Sequence, residues 1–304
     1  MNPLVSIIMP SFNAAATLPT AVSSLVAQTY LDWECIIIDD GSKDVTVDIV
    51  TTLIKQDRRF QYKRFENNKG RGLARQAALE RASGQYLALL DADDWVYPDK
   101  LEKQVDACRL VPEAALVSSG MAIANESGNL VGVRCQGKIE APIRSKPPIR
   151  LGRVPVAFPP SLIQLDIAKS IGFDHQLRRS EDWDFLLRLL MKNRYFILPD
   201  ITYVYNEHTS VDFANVQGTI HDSKLVIEKY RNLFPRDYWI NRLRLRFSLA
   251  IYRILFLLGL GEFVIGRRSA KPTDGDLQRY RQAKETVKKV EHELFGRLPL
   301  IYSF

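Results

Sequence analysis

The sequence predicts an α/β protein: a mainly parallel, Rossmann-like sheet with helices on both faces, plus a helical C-terminal extension. Three observations predict it. Short β-branched runs alternate with helix-period segments through the first 120 residues. Two of those runs stop abruptly in acidic clusters, which places the clusters beyond the carboxyl ends of strands. From about Thr219 onward the apolar spacing is helical. A chain of 304 residues has room for one large α/β domain and an extension, or for two ordinary domains. The expected division is a core over 1–218, in halves 1–120 and 121–218, and an extension over 219–304.

The elements follow in order. Val5–Met9 is a β-branched strand stopped by Pro10, and Leu18, Val22, Leu25 and Val26 then take helical spacing. Trp33–Ile38 is a second strand, ending in Asp39-Asp40-Gly41-Ser42. A helix follows, with Val47, Val50 and Ile54 on one side. Phe60–Phe65 reads as a third strand and the Ala-rich Gly72–Ala82 as a helix. Tyr86–Leu90 is a buried strand running into Asp91-Ala92-Asp93-Asp94. Pro98 opens a helix with Leu101, Val105 and Cys108 on one face, proline being favoured at the first helical position. Ala115–Ser119 and Ser161–Leu165 are further strands. Between them Gly132–Arg153, with Pro142, Pro147 and Pro148 among Lys138, Arg144, Lys146, Arg150 and Arg153, reads as a mobile basic loop. Ser180 caps a strong helix over Glu181–Lys192, and Lys271–Asp276 is a disordered break within the helical tail.

Composition excludes several classes. With 46% hydrophobic and 25% charged residues the chain is not disordered. Cys35, Cys108 and Cys135 lack paired spacing, so neither a disulfide framework nor a zinc knuckle is built, and a reducing, cytoplasmic setting is expected. The first 31 residues carry no charge, but Pro10, Pro19 and a scatter of Ser, Thr and Asn break any signal-peptide run. The apolar stretch Ile254–Gly261 is far shorter than the ~20 residues of a membrane span. The net charge of +7 sits entirely between Arg231 and Lys271, where nine basic residues meet only Asp237 and Glu262. A nucleic-acid enzyme would be basic around its chemistry, so no nucleic-acid partner is expected.

Asp91 and Asp93 are two carboxylates two residues apart at a strand end, a pattern suited to a hard cation such as Mg²⁺ or Mn²⁺ that shares its shell with substrate phosphates. Alone, this cluster or Asp39-Asp40-Gly41-Ser42 reads equally as an acidic turn. Two at the ends of two strands of one sheet argue for a site. Gly70-Arg71-Gly72-Leu73-Ala74-Arg75 only begins a dinucleotide fingerprint, and the Walker lysine motif is absent.

Together, Val5-Ser6-Ile7-Ile8-Met9-Pro10-Ser11-Phe12-Asn13, Asp39-Asp40-Gly41-Ser42, Gly72-Leu73-Ala74-Arg75, Leu90-Asp91-Ala92-Asp93-Asp94 and Glu181-Asp182-Trp183-Asp184 resemble, in order and spacing, the signatures of family 2 inverting glycosyltransferases of the GT-A fold. The resemblance implies a nucleotide-binding half over 1–120, an acceptor-binding half over 121–218, a UDP-sugar donor and a glycan or lipid-linked acceptor. It implies that Pro10 and Phe12 line the base pocket, Phe12 standing where the family often has Tyr. Asp40 would accept the uracil imide N–H, and Arg75 would hold the base or diphosphate. Asp91 and Asp93 would serve ribose and metal, and Asp182 would be the general base. His208 resembles a family histidine near the metal, although Asn206 replaces the Arg that usually precedes it.

The residues add an argument for Asp182 of their own. It shares a helical face with Leu186, Leu189 and Leu190, so its carboxylate faces the protein, where partial burial raises the pKa toward a useful base. Asp184, four residues before Arg188, reads as a surface ion pair. Trp183 either stacks on an acceptor sugar or fills the core, and Glu181 is a further acceptor-side candidate. The alternative function is a non-catalytic nucleotide-sugar sensor or assembly subunit. In the tail, Leu243, Phe247, Ile251, Ile254 and Leu258 share helical spacing, with Arg242, Arg246 and Arg253 on another face. That helix either packs on the core or, through 231–271, contacts an anionic membrane peripherally at the inner face of the cell membrane.

Overall fold

The computed structural model describes residues 2–134, 150–152, 154–177, 179–207, 213–258 and 269–296. Strands β1 (Val5–Ser11), β2 (Trp33–Asp39), β3 (Phe60–Arg64) and β4 (Tyr86–Leu89) are parallel, in the order β3-β2-β1-β4. Their apolar side chains alternate between two faces, as a pleated strand requires. Val5, Ile7, Met9, Cys35 and Ile37 meet Leu18 and Val22 of α1 (Leu18–Val26), Ile49 and Leu53 of α2 (Thr46–Gln56) and Leu101 and Val105 of α4 (Lys100–Leu110). Ile8, Ile36 and Ile38 meet Ala74, Ala78 and Leu79 of α3 (Arg71–Arg81), Ala168 of α5 (Leu165–Ile171) and Phe185 and Leu189 of α6 (Glu181–Leu190). Burial on both faces explains why the strands read as continuous apolar runs.

The sheet continues through β8 (Leu162–Gln164), antiparallel to β4 and to β6 (Ala114–Ala124). β9 (Arg194–Asn206) runs parallel to β6, while the two-residue β5 (Trp95–Val96) and β7 (Leu130–Arg134) pair antiparallel with β9 and β6. The periodicity did not reveal β9, because Pro199-Asp200 reads as a turn. In the structure the β6–β9 register shifts between Ser118↔Ile197 and Gly120↔Ile201, and a proline is tolerated at such an irregularity. Within the expected loop, Leu130–Arg134 is strand; residues 135–149 and Arg153 lie outside the described residues.

Three local expectations are corrected. Pro98 does not open α4; it lies just ahead of the N-cap Asp99. Ser180 occupies the N-cap of α6 but with φ +61° and no side-chain cap; its hydroxyl lies 3.4 Å from that of Ser223. The break at Lys271–Asp276 is ordered. Ala270 bridges Val133, and Thr273 starts α9 (Asp274–Phe295) with a capping box to Asp276.

The extension also contains α7 (Phe213–Lys229) and α8 (Pro235–Leu257). α9 lies on the sheet, where Tyr280, Ala283 and Val287 join Trp95, Tyr97 and Ile201 in one cluster. Arg279 Nη2 donates to both carboxylate oxygens of Asp99, at 2.9 and 3.0 Å. No helix among the described residues is long and apolar enough to cross a membrane.

Lys100 is fully buried in α4, with its ammonium against Gln104 Oε1. Burial lowers its pKa to about 7. The unfolded chain therefore binds this proton below its ordinary value, the folded chain only below about 7. Stability should rise as pH climbs across that interval, by up to about 1.4 kcal/mol per pH unit. Denaturant melts at stepped pH should show that slope in the wild type and lose it in Lys100→Met.

Candidate functional site

The parallel register brings the carboxyl ends of β1, β2 and β4 together. Asp40 N donates to Ser11 O at 2.8 Å and Leu90 N to Ile8 O at 3.2 Å, so the residues that follow all three strands leave the sheet along one edge. Strand order reverses direction around β1, the position where open α/β sheets bind ligands.

Asp39 and Asp40 do different work. Asp39 is fully buried, accepts from Ser42 N at 2.8 Å and from the Tyr62 hydroxyl at 2.9 Å, and shapes the turn. Gly41 has φ +80°, and a Cβ there would stand 2.9 Å from Asn67 C, so only glycine fits. Asp40 accepts from Lys69 N at 2.6 Å and Gly70 N at 2.8 Å, drawing the loop before α3 onto the sheet edge. A carboxylate has about four acceptor positions, so Asp40 keeps capacity for a ligand N–H.

A cleft of about 760 Å³ opens over this edge, lined among others by Pro10, Phe12, Asp40, Arg71, Asp91 and Asp93. Phe12 presents an exposed ring, 46% accessible. Across from it stand Arg179, Tyr205 and Asp222. Burial and the charges of Asp94 and Asp93 push the Tyr205 hydroxyl up to about 12, so it enters the cleft as a neutral phenol.

Arg75 does not line the cleft. It is 2% exposed and stands behind Asp91, donating to Asp91 Oδ1 at 2.6 Å and to Glu181 Oε1 at 2.7 Å. Arg71, one helical turn earlier, does line the ligand space and donates to the same Glu181 oxygen at 2.6 Å. Burial alone would raise the Asp91 pKa, but the Arg75 and Arg71 charges hold it below the usual carboxylate range. The spacing of two arginines four apart on one helix face was the available signal for Arg71.

Glu181 is therefore not an acceptor contact: its side chain is fully inaccessible and joins α6 to α3. Asp184 is likewise no surface pair. It is buried and held by Arg188 at 2.7 Å, Lys229 at 2.9 Å and the Tyr230 hydroxyl at 2.8 Å. Trp183, partly buried, packs against the cluster of Leu151, Leu187, Val226 and Tyr230 and is absent from the cleft lining. Asp182 is half-buried, accepts from Trp183 N at 2.7 Å, and acts electrostatically on both Arg71 and Arg75. Its side chain is not among those that line the cleft.

Asp94, which the motif reading left without a role, is a buried pin. It accepts from the Tyr203 hydroxyl at 2.7 Å and from Asn206 N at 2.8 Å. Burial, with Asp93 and Asp91 beside it, pushes its carboxyl well above the usual range. Asn206 also donates its side-chain amide to Asp93 O, so this residue secures the acidic turn to β9. His208 lies outside the described residues. Among those described, no three His, Cys, Asp or Glu side chains gather into a metal-holding group. Asp91 and Asp93 still suit a cation that takes one or two protein carboxylates and completes its shell with substrate phosphates.

Residues 6–146, a little under half of the chain, match the model for glycosyl transferase family 2. It is 44% identical over 102 residues to the Escherichia coli UDP-Glc:alpha-D-GlcNAc-diphosphoundecaprenol beta-1,3-glucosyltransferase WfgD, covering 34% of this chain and 40% of that one. The chain spans about two fifths of the length of such curated relatives. The fold is that of GT-A glycosyltransferases. Staphylococcus aureus TarS 1–349 in complex with UDP aligns with a TM-score of 0.56 at 22% identity, over 73% of this chain and 65% of that one. The mannosyltransferase PcManGT of Pyrobaculum calidifontis, in complex with GDP-Man and Mn2+, aligns with a TM-score of 0.59 at 14% identity, over 98% and 88%.

Proposed function

We propose that the protein is an inverting, metal-dependent glycosyltransferase that moves a sugar from a UDP-sugar to a hydroxyl of a glycan or lipid-linked glycan. The observation that carries this reading is the meeting, in one cleft, of Phe12, Asp40, Asp91, Asp93 and Arg71, with Asp182 near enough for its charge to act on Arg71. The names of WfgD and of TarS in complex with UDP support a uridine nucleotide.

In this reading the uracil lies against Pro10 and Phe12, and Asp40 accepts its imide N–H. A thymine nucleotide offers the same imide, so the donor screen includes both. Arg71, tethered by Glu181, meets the diphosphate. Asp182 takes the proton of the acceptor hydroxyl as its oxygen attacks the anomeric carbon. The bond from that carbon to the diphosphate oxygen breaks with inversion, and UDP leaves. A bound Mn²⁺ or Mg²⁺, held by Asp93 with Asp91, would neutralise charge developing on the leaving diphosphate. Arg75 does not touch the substrate; it fixes Asp91. The acceptor is presented at the inner face of the cell membrane, which residues 231–271 contact.

The test is UDP release from purified protein across UDP- and dTDP-sugars, with and without added Mn²⁺ or Mg²⁺. We expect metal-stimulated release that increases with acceptor and falls in Asp93→Asn. Saturable binding of a UDP-sugar without release from any donor would instead identify a sensor or assembly subunit.

A further inference from the structure

The two readings of the tail turn out to concern different helices and different faces. α9 is committed to the sheet, and α8 commits only one of its faces. Tyr238, Asn241 and Leu245 of α8 turn inward; Asn241 donates to Leu151 O, and Asp237 accepts from Leu151 N at 3.0 Å. The opposite face is exposed and apolar along the whole helix. Trp239, Ile240, Leu243, Phe247, Ile251, Ile254 and Leu257 all project from it, with accessibilities between 54% and 79%.

At roughly 100° per residue these side chains fall within one third of the helix circumference. The exposed arginines border that stripe. Arg242, Arg246 and Arg253 run along one edge and Arg244 along the other, while Arg236 stands at its start. Against these five cations α8 carries one acid, Asp237, which is engaged with Leu151. Arg242 also lies 5.6 Å from the ring of Trp239, so a cation and an exposed indole stand together at the margin. A stripe of this kind, cationic on both borders and held by its back to a folded domain, is built to lie in a plane rather than to enter a groove.

We propose that α8 docks parallel to an anionic phospholipid surface, its stripe in the acyl boundary and its border arginines on the phosphates. The charge complementarity selects this occupant. A second copy of the chain would bring the same arginines against one another, and a neutral protein surface would leave them unpaired. The inference deepens the proposed function, resting on it only for the reason the membrane is visited.

The experiment is flotation of the full chain with vesicles of mixed phosphatidylcholine and phosphatidylglycerol, and with phosphatidylcholine alone. The protein should float with the anionic vesicles, weakly with the neutral ones, and less as salt rises. Phe247→Glu/Ile251→Glu should lower the partition by roughly tenfold or more. Arg244→Gln/Arg246→Gln/Arg253→Gln should remove the preference for anionic lipid. UDP binding, measured in parallel, should be unchanged in both variants, which shows that they are folded. Failure of the wild type to float, equal flotation of the variants, or a lipid-free dimer dissolved by the same substitutions would each overturn the proposal. Lipid binding without sugar transfer would leave it standing and remove the transferase reading instead.

Discussion

Replacing Asp182 by Asn should lower sugar transfer by roughly 10²–10⁴-fold, the contribution of a positioned general base. The substitution keeps shape and removes only the ability to take a proton. Asp182 is half-buried, accepts from Trp183 N in its own helix, and among the described residues belongs to no ion pair. The amide oxygen of Asn accepts that same hydrogen bond, so melting temperature and UDP affinity should stay at wild-type values. The loss should appear in kcat and in kcat/KM together, because the interaction is made only in the transition state. Full transfer activity in a folded Asp182→Asn protein would remove the base from this residue.

The largest stability effect is expected at Glu181, one residue earlier. Its carboxylate is fully buried and compensates two guanidiniums, one of them the buried Arg75. Glu181→Ala leaves Arg75 charged, dehydrated and paired only with Asp91. Breaking a buried pair from one side costs about 3–5 kcal/mol. Both Arg75 Nε and Glu181 Oε2 already lack a partner among the described residues, so the network has no spare contact to relax into. Urea unfolding should resolve the loss readily. Glu181→Gln, which keeps a hydrogen-bond acceptor, should lose less, and a destabilisation below about 1 kcal/mol in Glu181→Ala would mean that Arg75 is compensated elsewhere. In a Glu181→Gln protein that remains folded, Arg71 should lose its tether and the affinity for UDP should fall.

These two neighbours show what the sequence made legible. Position at the head of an apolar stripe singles out Asp182, and the structure places that residue half-buried at the start of α6. For Glu181, local spacing carried no such signal, because its partners lie more than one hundred residues away on α3. The same limit governs Arg75. Its place in the motif was plain, but only the packing of α6 on α3 decides that Arg75 goes behind Asp91 and Arg71 goes forward. Asp184 had a correct partner in Arg188 and a wrong environment, because Lys229 at the end of α7 and Tyr230 just after it cover it.

The parallel half of the sheet was readable because strands buried on both faces are short, continuous apolar runs between helices. β9 was not, because its proline is accommodated by a register shift that exists only once β6 is beside it. The tail shows the reverse case. Apolar and basic positions on α8 were legible, but which of its faces the core would take was not, and the structure leaves the apolar one outside.

The central claim, that the edge over β1, β2 and β4 holds the nucleotide, is tested most directly by amide NMR of the full chain titrated with UDP. A second cleft of about 810 Å³, between α1 and α9 and lined by Lys284, Lys288 and His292, makes the outcome discriminating. The account predicts saturable shifts at Phe12, Asn13, Asn68, Gly70 and Arg71, with Lys284, Lys288 and His292 unmoved. Shifts confined to the α9 cleft, or none at millimolar UDP, would contradict it.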